Sequence, residues 1–183
     1  FAYSINLGAD WNNFFISAFF QGVGKQDWYP SSECIFWGQY NRPYNNLPTW
    51  HVDNYWTEDN QGAYLPRYAG YNTSIRDTKQ TRYLQNVAYI RLKNLQFGYT
   101  LPKQLISKIM MQNARVYISA ENLWCWSPLY KHTRDLDVTN IYGSDPDLTD
   151  ADMKSGLNGK RGSGDGNSYP QMRSISLGIS VTF

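Results

Sequence analysis

Residues 174–183 read Ser-Ile-Ser-Leu-Gly-Ile-Ser-Val-Thr-Phe, and every second residue of this stretch is apolar. Successive side chains of a β-strand point to opposite faces of the sheet. The pattern therefore predicts a strand with one apolar face and one face of serine, glycine and threonine. The apolar face carries Ile175, Leu177, Ile179, Val181 and Phe183.

Four other stretches alternate with the same period of two, so the chain is predicted to be all-β. The expected strands are residues 1–11, 14–22, 83–99, 114–123 and 172–183. Asn12-Asn13 predicts a two-residue hairpin, because asparagine tolerates a positive φ. In the third strand the apolar positions change phase at Lys93-Asn94, and such a slip indicates a β-bulge.

The segments between these strands are short, long, short and long in turn. They cover residues 12–13, 23–82, 100–113 and 124–171, with a helical turn expected at Pro102. Tight turns on one side and long loops on the other are typical of outer-membrane β-barrels. The short connections would be periplasmic and the long loops extracellular.

Aromatic residues support a membrane barrel. Trp11, Phe14, Tyr99 and Phe183 all fall at the strand ends predicted to be periplasmic, where a girdle would meet the lipid-water boundary. Together with Ile175, Leu177, Ile179 and Val181 they are predicted to face lipid. A soluble carbohydrate-binding β-sandwich would show the same alternation, and it remains the alternative interpretation.

Composition excludes several other classes. The 183 residues include 7 Trp, 15 Tyr and 8 Phe, which argues against disorder and against a helical domain. No apolar run approaches the roughly 20 residues of a membrane helix. A net charge of +2 without a basic stripe gives no reason to expect a nucleic-acid partner. Cys34 and Cys125 form no metal or redox motif, and the sequence leaves open whether they are bonded.

The chain is expected to be a fragment. It begins at Phe1 within an alternating pattern and shows no signal peptide. Five antiparallel strands cannot close a wide barrel, and alone they would leave two edges and one apolar face exposed.

Three motifs resemble one known family, the SusC/RagA-type TonB-dependent transporters of Bacteroidetes. They are residues 89–102 (YIRLKNLQFGYTLP), residues 115–123 (RVYISAENL) and residues 167–173 (NSYPQMR). Residues 19–24 and 41–48 also resemble that family. The likeness runs along nearly the whole chain in the family's order, while the loops depart from it.

This resemblance implies the C-terminal part of a transmembrane β-barrel, 22-stranded in this family, in the outer membrane of a Gram-negative bacterium. The plug domain would lie outside this chain, and TonB would act through it. A SusD-like surface lipoprotein would close over the cargo, a glycan or an oligopeptide. Phe183 resembles the aromatic terminus read by the barrel-assembly machinery.

The first long loop is rich in aromatic side chains, which suit sugar binding through stacking beside hydrogen-bonding groups. The predicted substrate-binding residues are Trp37, Tyr40, Arg42, Tyr44 and Trp56. The same rings would also serve to pack the loop against itself.

No catalytic or cofactor site is predicted, so the chain is not expected to be an enzyme. Hydrolase, zinc-protease and phosphate-loop motifs do not occur. Asp145, Asp147, Asp150 and Asp152 cluster, but their spacing does not match a calcium loop. His51 and His132 have no partner at metal-ligand spacing.

Overall fold

A computed structural model describes residues 1–30, 34–40, 46–69, 78–107, 110–141 and 170–183. The chain divides into two compact units. The sheet unit comprises residues 1–24, 89–126 and 171–183, and the loop unit comprises residues 25–88 and 127–170. The long loops thus form a folded body of their own.

The sheet unit is built on a five-stranded antiparallel sheet with the order β1-β2-β5-β6-β7, which confirms the predicted number and direction of strands. Its strands are β1 (Ala2–Trp11), β2 (Phe14–Val23), β5 (Tyr89–Thr100), β6 (Asn113–Trp126) and β7 (Ser174–Thr182). Each strand of this sheet pairs with the strand of the same sheet that comes next in the sequence. Each connection brings the chain back beside the strand that precedes it.

Local sequence explains both short connections. Asn12 and Asn13 adopt φ values of 47° and 72°, the left-handed pair that joins β1 to β2. Between β5 and β6 the short helix α1 (Lys103–Ile106) follows Pro102, which has extended backbone dihedrals. Proline suits this position because a helix's first turn leaves its N–H groups unpaired anyway.

The register shifts once in β5, where the sequence pattern changes phase. Phe19 pairs with Asn94 and Phe20 with Leu92, so Lys93 is an extra residue. The pairing with β6 shifts at the same place, and Asn122 there has a φ of 52°. The bulge keeps apolar side chains of neighbouring strands on one face.

The resulting face is continuously apolar and uncovered within the described sheet. Ile175, Leu177 and Ile179 are 71%, 74% and 69% exposed. Through the register they continue into apolar positions of the other four strands. These are Val116, Ile118, Leu95, Phe97, Ile16, Ala18, Leu7 and Ala9.

The opposite face is polar, with two aromatic rings packed over glycines. Phe15 lies opposite Gly98, and Tyr117 lies between Gly98 and Gly178 in the register. The guanidinium of Arg115 lies 5.7 Å from the centre of the Phe15 ring. Phe15 is an apolar residue on this polar face, and its ring covers the backbone of Gly98, which has no side chain.

In the loop unit, β3 (Asp27–Trp28) and β4 (Gln85–Asn86) form a two-stranded sheet. Short 3₁₀ segments span Ile35–Tyr40, Thr49–His51, Thr81–Tyr83, Pro128–Lys131 and Val138–Asn140, and the first of them is kinked at Gly38. The prediction that the third long strand begins near residue 83 was wrong, since β5 begins at Tyr89. Tyr83 and Val87 are buried in the loop unit instead. The fourth strand was predicted too short, because β6 continues to Trp126.

Among the described residues, no helix has the length and apolar character needed to cross a membrane.

Gly98 offers a test of the packed polar face. A Cβ at this position would lie 2.6 Å from the Phe15 ring and 2.7 Å from Tyr117 Cβ. Gly98→Ala should therefore destabilise the full-length protein by about 1–3 kcal/mol through overpacking, measured as a lower denaturant midpoint. The matched control is Gly8→Ala, whose new Cβ would have only Ile16 O at 3.8 Å. Equal midpoints for both variants would contradict this account of the face.

Candidate functional site

An aromatic core holds the first long loop together, with Trp37 at its centre. Trp37 Nε1 donates to the Pro30 carbonyl at 3.1 Å. Its ring lies 5.2 Å from Phe36 and 5.4 Å from Tyr83, both edge-on. Edge-to-face contacts of this kind stabilise beyond the area that they bury. The loop is thus a packed core with its indole N–H satisfied.

His51 joins two parts of this loop. Its Nε2 lies 2.9 Å from the Phe36 carbonyl and its Nδ1 lies 2.8 Å from the Tyr68 hydroxyl. Since a carbonyl only accepts, Nε2 carries the proton and Nδ1 accepts from Tyr68. Burial lowers the pKa of His51 to about 4, against the smaller opposing effect of the Phe36 carbonyl. At neutral pH the ring is therefore an uncharged structural link.

Glycine is required beside this histidine. Gly38 has a φ of +48°, and a Cβ there would lie 2.6 Å from Pro48 Cδ and 3.1 Å from His51 Cε1. A side chain would be strained by the backbone and would also displace the imidazole.

Two tyrosines extend the core toward residue 68. The rings of Tyr40 and Tyr68 stack at 4.2 Å, and the Tyr40 hydroxyl donates to the Pro66 carbonyl. Burial raises the pKa of Tyr68 to about 12, and it raises the pKa of Tyr40 further. Both hydroxyls stay protonated at physiological pH, so they act as hydrogen-bond donors.

The second long loop packs on the first through His132. This ring stacks on Tyr64 at 4.6 Å and lies 5.6 Å from Trp50. Nearby, Gln26 Nε2 donates to the Ile141 carbonyl at 2.8 Å. The described parts of the two loops therefore share one core.

Arg82 stabilises the same region through hydrogen bonds to Ala63 and Tyr64. Its Nε and Nη2 donate to the carbonyls of Tyr64 and Ala63 at 2.9 and 2.7 Å, and its guanidinium lies 5.6 Å from the centre of the Tyr64 ring. The Tyr64 hydroxyl donates in return to the Arg82 carbonyl at 2.8 Å.

The predicted substrate-binding residues are not brought together as one surface. Trp37 and Tyr40 are 0% exposed, and their polar atoms are engaged by carbonyls of the loop itself. Trp56 is half-buried, and its backbone N–H donates to the Leu65 carbonyl at 3.0 Å. Arg42 and Tyr44 lie outside the described residues. Substrate contact by these five stays a prediction.

Three of the predicted girdle residues lie beside one another at one end of the apolar face, and their contact with lipid stays a prediction. Trp11, Phe14 and Tyr99 follow one another in register across β1, β2 and β5. Phe14 packs against Tyr99 at 4.7 Å and against Phe97 at 5.9 Å. Trp124 and Trp126, at the opposite end of the same face, are also exposed. The apolar face thus carries aromatic rings at both ends.

On the polar face, two cations converge on one amide. Arg91 Nη1 and Lys93 Nζ each donate to Gln171 Oε1 at 3.1 Å. Asn122 Nδ2 donates to the Met172 carbonyl at 3.2 Å. These bonds link the bulged region of β5 and β6 to the segment that leads into β7.

The remaining candidates carry no site in the described residues. Neither Cys34 nor Cys125 forms a disulfide. The residues described contain no group of three or more side chains suited to hold a metal ion. The acidic cluster of Asp145, Asp147, Asp150 and Asp152 lies outside them.

Sequence reasoning missed the roles of His51, Tyr68, His132 and Arg82. A lone histidine in an aperiodic loop gives no local signal of a buried hydrogen-bond network. The excess of tryptophan and tyrosine in the loop did indicate packing, but it did not identify partners.

The loop core should lose stability in acid. Because the folded pKa of His51 is about 4 and the unfolded value is about 6.5, its contribution is complete above pH 6.5 and falls as the pH falls toward 4. The loss should reach roughly 2 kcal/mol by pH 5. The measurement is amide hydrogen exchange of residues 34–56 in the full-length protein, corrected for the intrinsic pH dependence of exchange.

The matched variants are His51→Gln and His132→Gln. Burial, and then Lys131, lowers the pKa of the half-buried His132 as well. His51→Gln should remove most of the pH dependence of protection, and His132→Gln should retain most of it. An unchanged slope in His51→Gln would show that another group senses the acid.

Comparison with known proteins identifies the family. The chain is 32% identical over 134 residues to TonB-dependent receptor P3 of Formosa agariphila, which is 71% of this chain and 11% of the relative. It is 31% identical over 132 residues to TonB-dependent receptor P26 of the same organism, covering 72% and 12%. The chain thus spans about a tenth of the length of these two relatives. No protein-family model matches the chain.

Solved structures agree on the fold. A chain in the closed-closed state of the RagAB peptide importer superposes with a TM-score of 0.60 at 23% identity, over 100% of this chain and 17% of that one. A chain of the RagAB peptide transporter gives a TM-score of 0.61 at 23% identity, over 97% and 16%. The two receptors of F. agariphila, at 32% and 31% identity, show the family. The chain belongs to the TonB-dependent receptors, as a segment of one.

Proposed function

We propose that this chain forms part of the barrel wall and outer loops of an outer-membrane importer for glycans or oligopeptides. The observation that carries the proposal is the two-faced sheet. One face is apolar and exposed across all five strands, and the other is polar. Lipid suits the first face, and a wet or plug-filled lumen suits the second.

A barrel also accounts for the edges of the sheet. β1 and β7 each pair on one side within the described residues. Unpaired backbone groups cannot face hydrocarbon, so further strands must continue the sheet. We propose a 22-stranded barrel as in other outer-membrane transporters, with Phe183 available to the barrel-assembly machinery.

The long loops would be extracellular. Both chain segments of the loop unit leave the sheet at the end opposite the Asn12-Asn13 hairpin. We propose that cargo meets this unit beneath a SusD-like lipoprotein, and that TonB supplies energy through a plug outside this chain. The family relationship supports these partners, and the role proposed is transport and not catalysis.

The alternative of a soluble carbohydrate-binding β-sandwich fits less well. A sandwich buries one face of each sheet against a second sheet. Here the apolar side chains of β7 are exposed. Moreover, in the described residues the only other sheet is the two-stranded β3-β4 pair.

Adjacent substitutions in β7 test the membrane assignment. Leu177→Arg would place a charge on the lipid face at a cost of about 2–4 kcal/mol near the bilayer midplane. It should sharply reduce the heat-modifiable receptor in the outer membrane. Ser176→Arg points to the polar face opposite Ser119 and should assemble nearly normally. Equal loss in both variants would refute the assignment of faces.

Uptake tests the transport proposal. Cells with the receptor should take up a labelled oligosaccharide or oligopeptide mixture, and uptake should stop when a protonophore collapses the inner-membrane energy supply. Uptake that does not depend on the receptor, or that survives the protonophore, would overturn the proposal.

In receptor that is assembled normally, Trp56→Ala should weaken cargo binding by more than about fivefold if its ring stacks on cargo. The control is Val52→Ala, an exposed side chain of the same loop.

A further inference from the structure

The apolar face of the sheet continues beyond the row that contains Tyr99. The N–H of Leu101 donates to the Ala114 carbonyl at 2.9 Å, and Ala114 lies opposite Val181 in the register. These three residues form one further apolar row. The exposed fraction falls here, from 69% at Ile179 to 39% at Val181. The connection between β5 and β6 begins in this row, so it extends the apolar face.

This connection buries one apolar side chain and exposes two others. Helix α1 lies against β6, and its Ile106 is 3% exposed. Leu105 is 57% exposed and Met110 is 89% exposed. Met110 also has a φ of 57°, which side chains rarely adopt because the Cβ comes too close to a carbonyl oxygen. Glycine would fit this backbone better, yet the chain carries a large apolar side chain here.

The charge around these side chains is positive. Residues 101–120 include Lys103, Lys108 and Arg115, and they include no aspartate or glutamate. Lys103 is exposed and forms no ion pair within the described residues. Apolar side chains beside lysines suit the boundary of a bilayer, where the amine meets headgroup phosphates and the apolar groups enter the acyl region.

The sheet alone is also short for a membrane. Aromatic rings mark its apolar face in the rows of Tyr99 and Trp126, which cross β2 at Phe14 and Gly22, eight residues apart. That separation is about 27 Å along the strand. At a tilt of about 40° it gives about 21 Å of depth, whereas the apolar band of such barrels is about 25 Å tall. Beyond Trp126 the chain enters the loop unit at Ser127, so the β5–β6 connection is the better placed to supply the remaining depth.

We propose that the β5–β6 connection is an interfacial anchor whose partner is an anionic phospholipid surface. Leu105 and Met110 enter the lipid at the periplasmic boundary, and Lys103 binds a headgroup phosphate. This inference rests on the proposed function, because it requires the apolar face of the sheet to lie in a membrane.

Photolabelling tests the contact. Full-length receptor is reconstituted in phosphatidylglycerol vesicles that contain a phospholipid with a diazirine on its acyl chain. After illumination and trypsin digestion, mass spectrometry locates the label. Met110, in peptide 109–115, should be labelled, as should the peptide that begins at Ser174 and carries the apolar face of β7. Peptide 26–67 should stay unlabelled, although its Ile35 and Val52 are exposed.

The outcomes separate the anchor from the importer. Label on β7 without label on Met110 would overturn the anchor and leave the proposed importer standing. Label on peptide 26–67 as strong as on Met110 would also overturn the anchor, because exposure alone would then explain the labelling. No label on either β7 or Met110 would refute the membrane face on which both proposals depend.

Met110→Gly distinguishes lipid contact from a structural role. Label in peptide 109–115 should be lost, while Leu105 in peptide 104–108 should keep its label. The denaturant midpoint in detergent should not fall, because glycine adopts a positive φ readily. Label that persists in peptide 109–115 of this variant would show that another residue meets the lipid, and it would overturn the role of Met110.

Lys103→Gln tests the headgroup contact. Replacing phosphatidylglycerol by zwitterionic phosphatidylcholine should lower labelling of peptide 109–115 in the wild type by about two- to fivefold, because a basic residue is attracted to an anionic surface. Lys103→Gln should give the lower value in both lipids. Lys25→Gln, at a side chain that is 76% exposed, should behave as the wild type. Equal wild-type labelling in the two lipids would overturn the assignment of an anionic partner.

Discussion

The two faces of the sheet exist only because pairing stays in phase across all five strands. Side chains alternate with a period of two, so a slip of one residue would move a whole strand's apolar set to the other face. β5 contains one residue more than β2, and the bulge at Lys93 absorbs it. In the pairing with β6 the additional residue lies on β6, where Asn122 and Leu123 face Lys93 alone. Because of this one irregularity, Leu92 and Leu95 share a face despite their odd spacing.

The bulge also brings polar groups together. It leaves Lys93 outside the regular pairing, and beside it Asn122 takes a left-handed conformation. Both then bond to the segment that precedes β7, through Gln171 and Met172. A bulge that preserves the apolar face therefore also fixes how the second long loop returns to the sheet, and it creates the pair of cations on the polar side. Such irregularities occur often beside functional sites.

The sheet could be predicted from sequence because its signal is local. Alternation in β7, the asparagine pair of the first hairpin and the phase change at Lys93 are each visible within a few residues. The loop unit could not be predicted in this way, because its order comes from contacts between distant residues. Tyr83 was assigned to the third strand, although it packs against Trp37. His51 gave no sign that it would bond to Phe36 and Tyr68.

The shared core of the two long loops has a consequence for how this receptor can diversify. Trp50 and Tyr64 of the first loop enclose His132 of the second. Exchanging either loop alone would leave unmatched rings and a cavity, which well-packed interiors tolerate poorly. Changes of specificity would then be inherited as coordinated replacements in both loops. Recombination within this part of the gene should preserve function only when both loops come from the same parent.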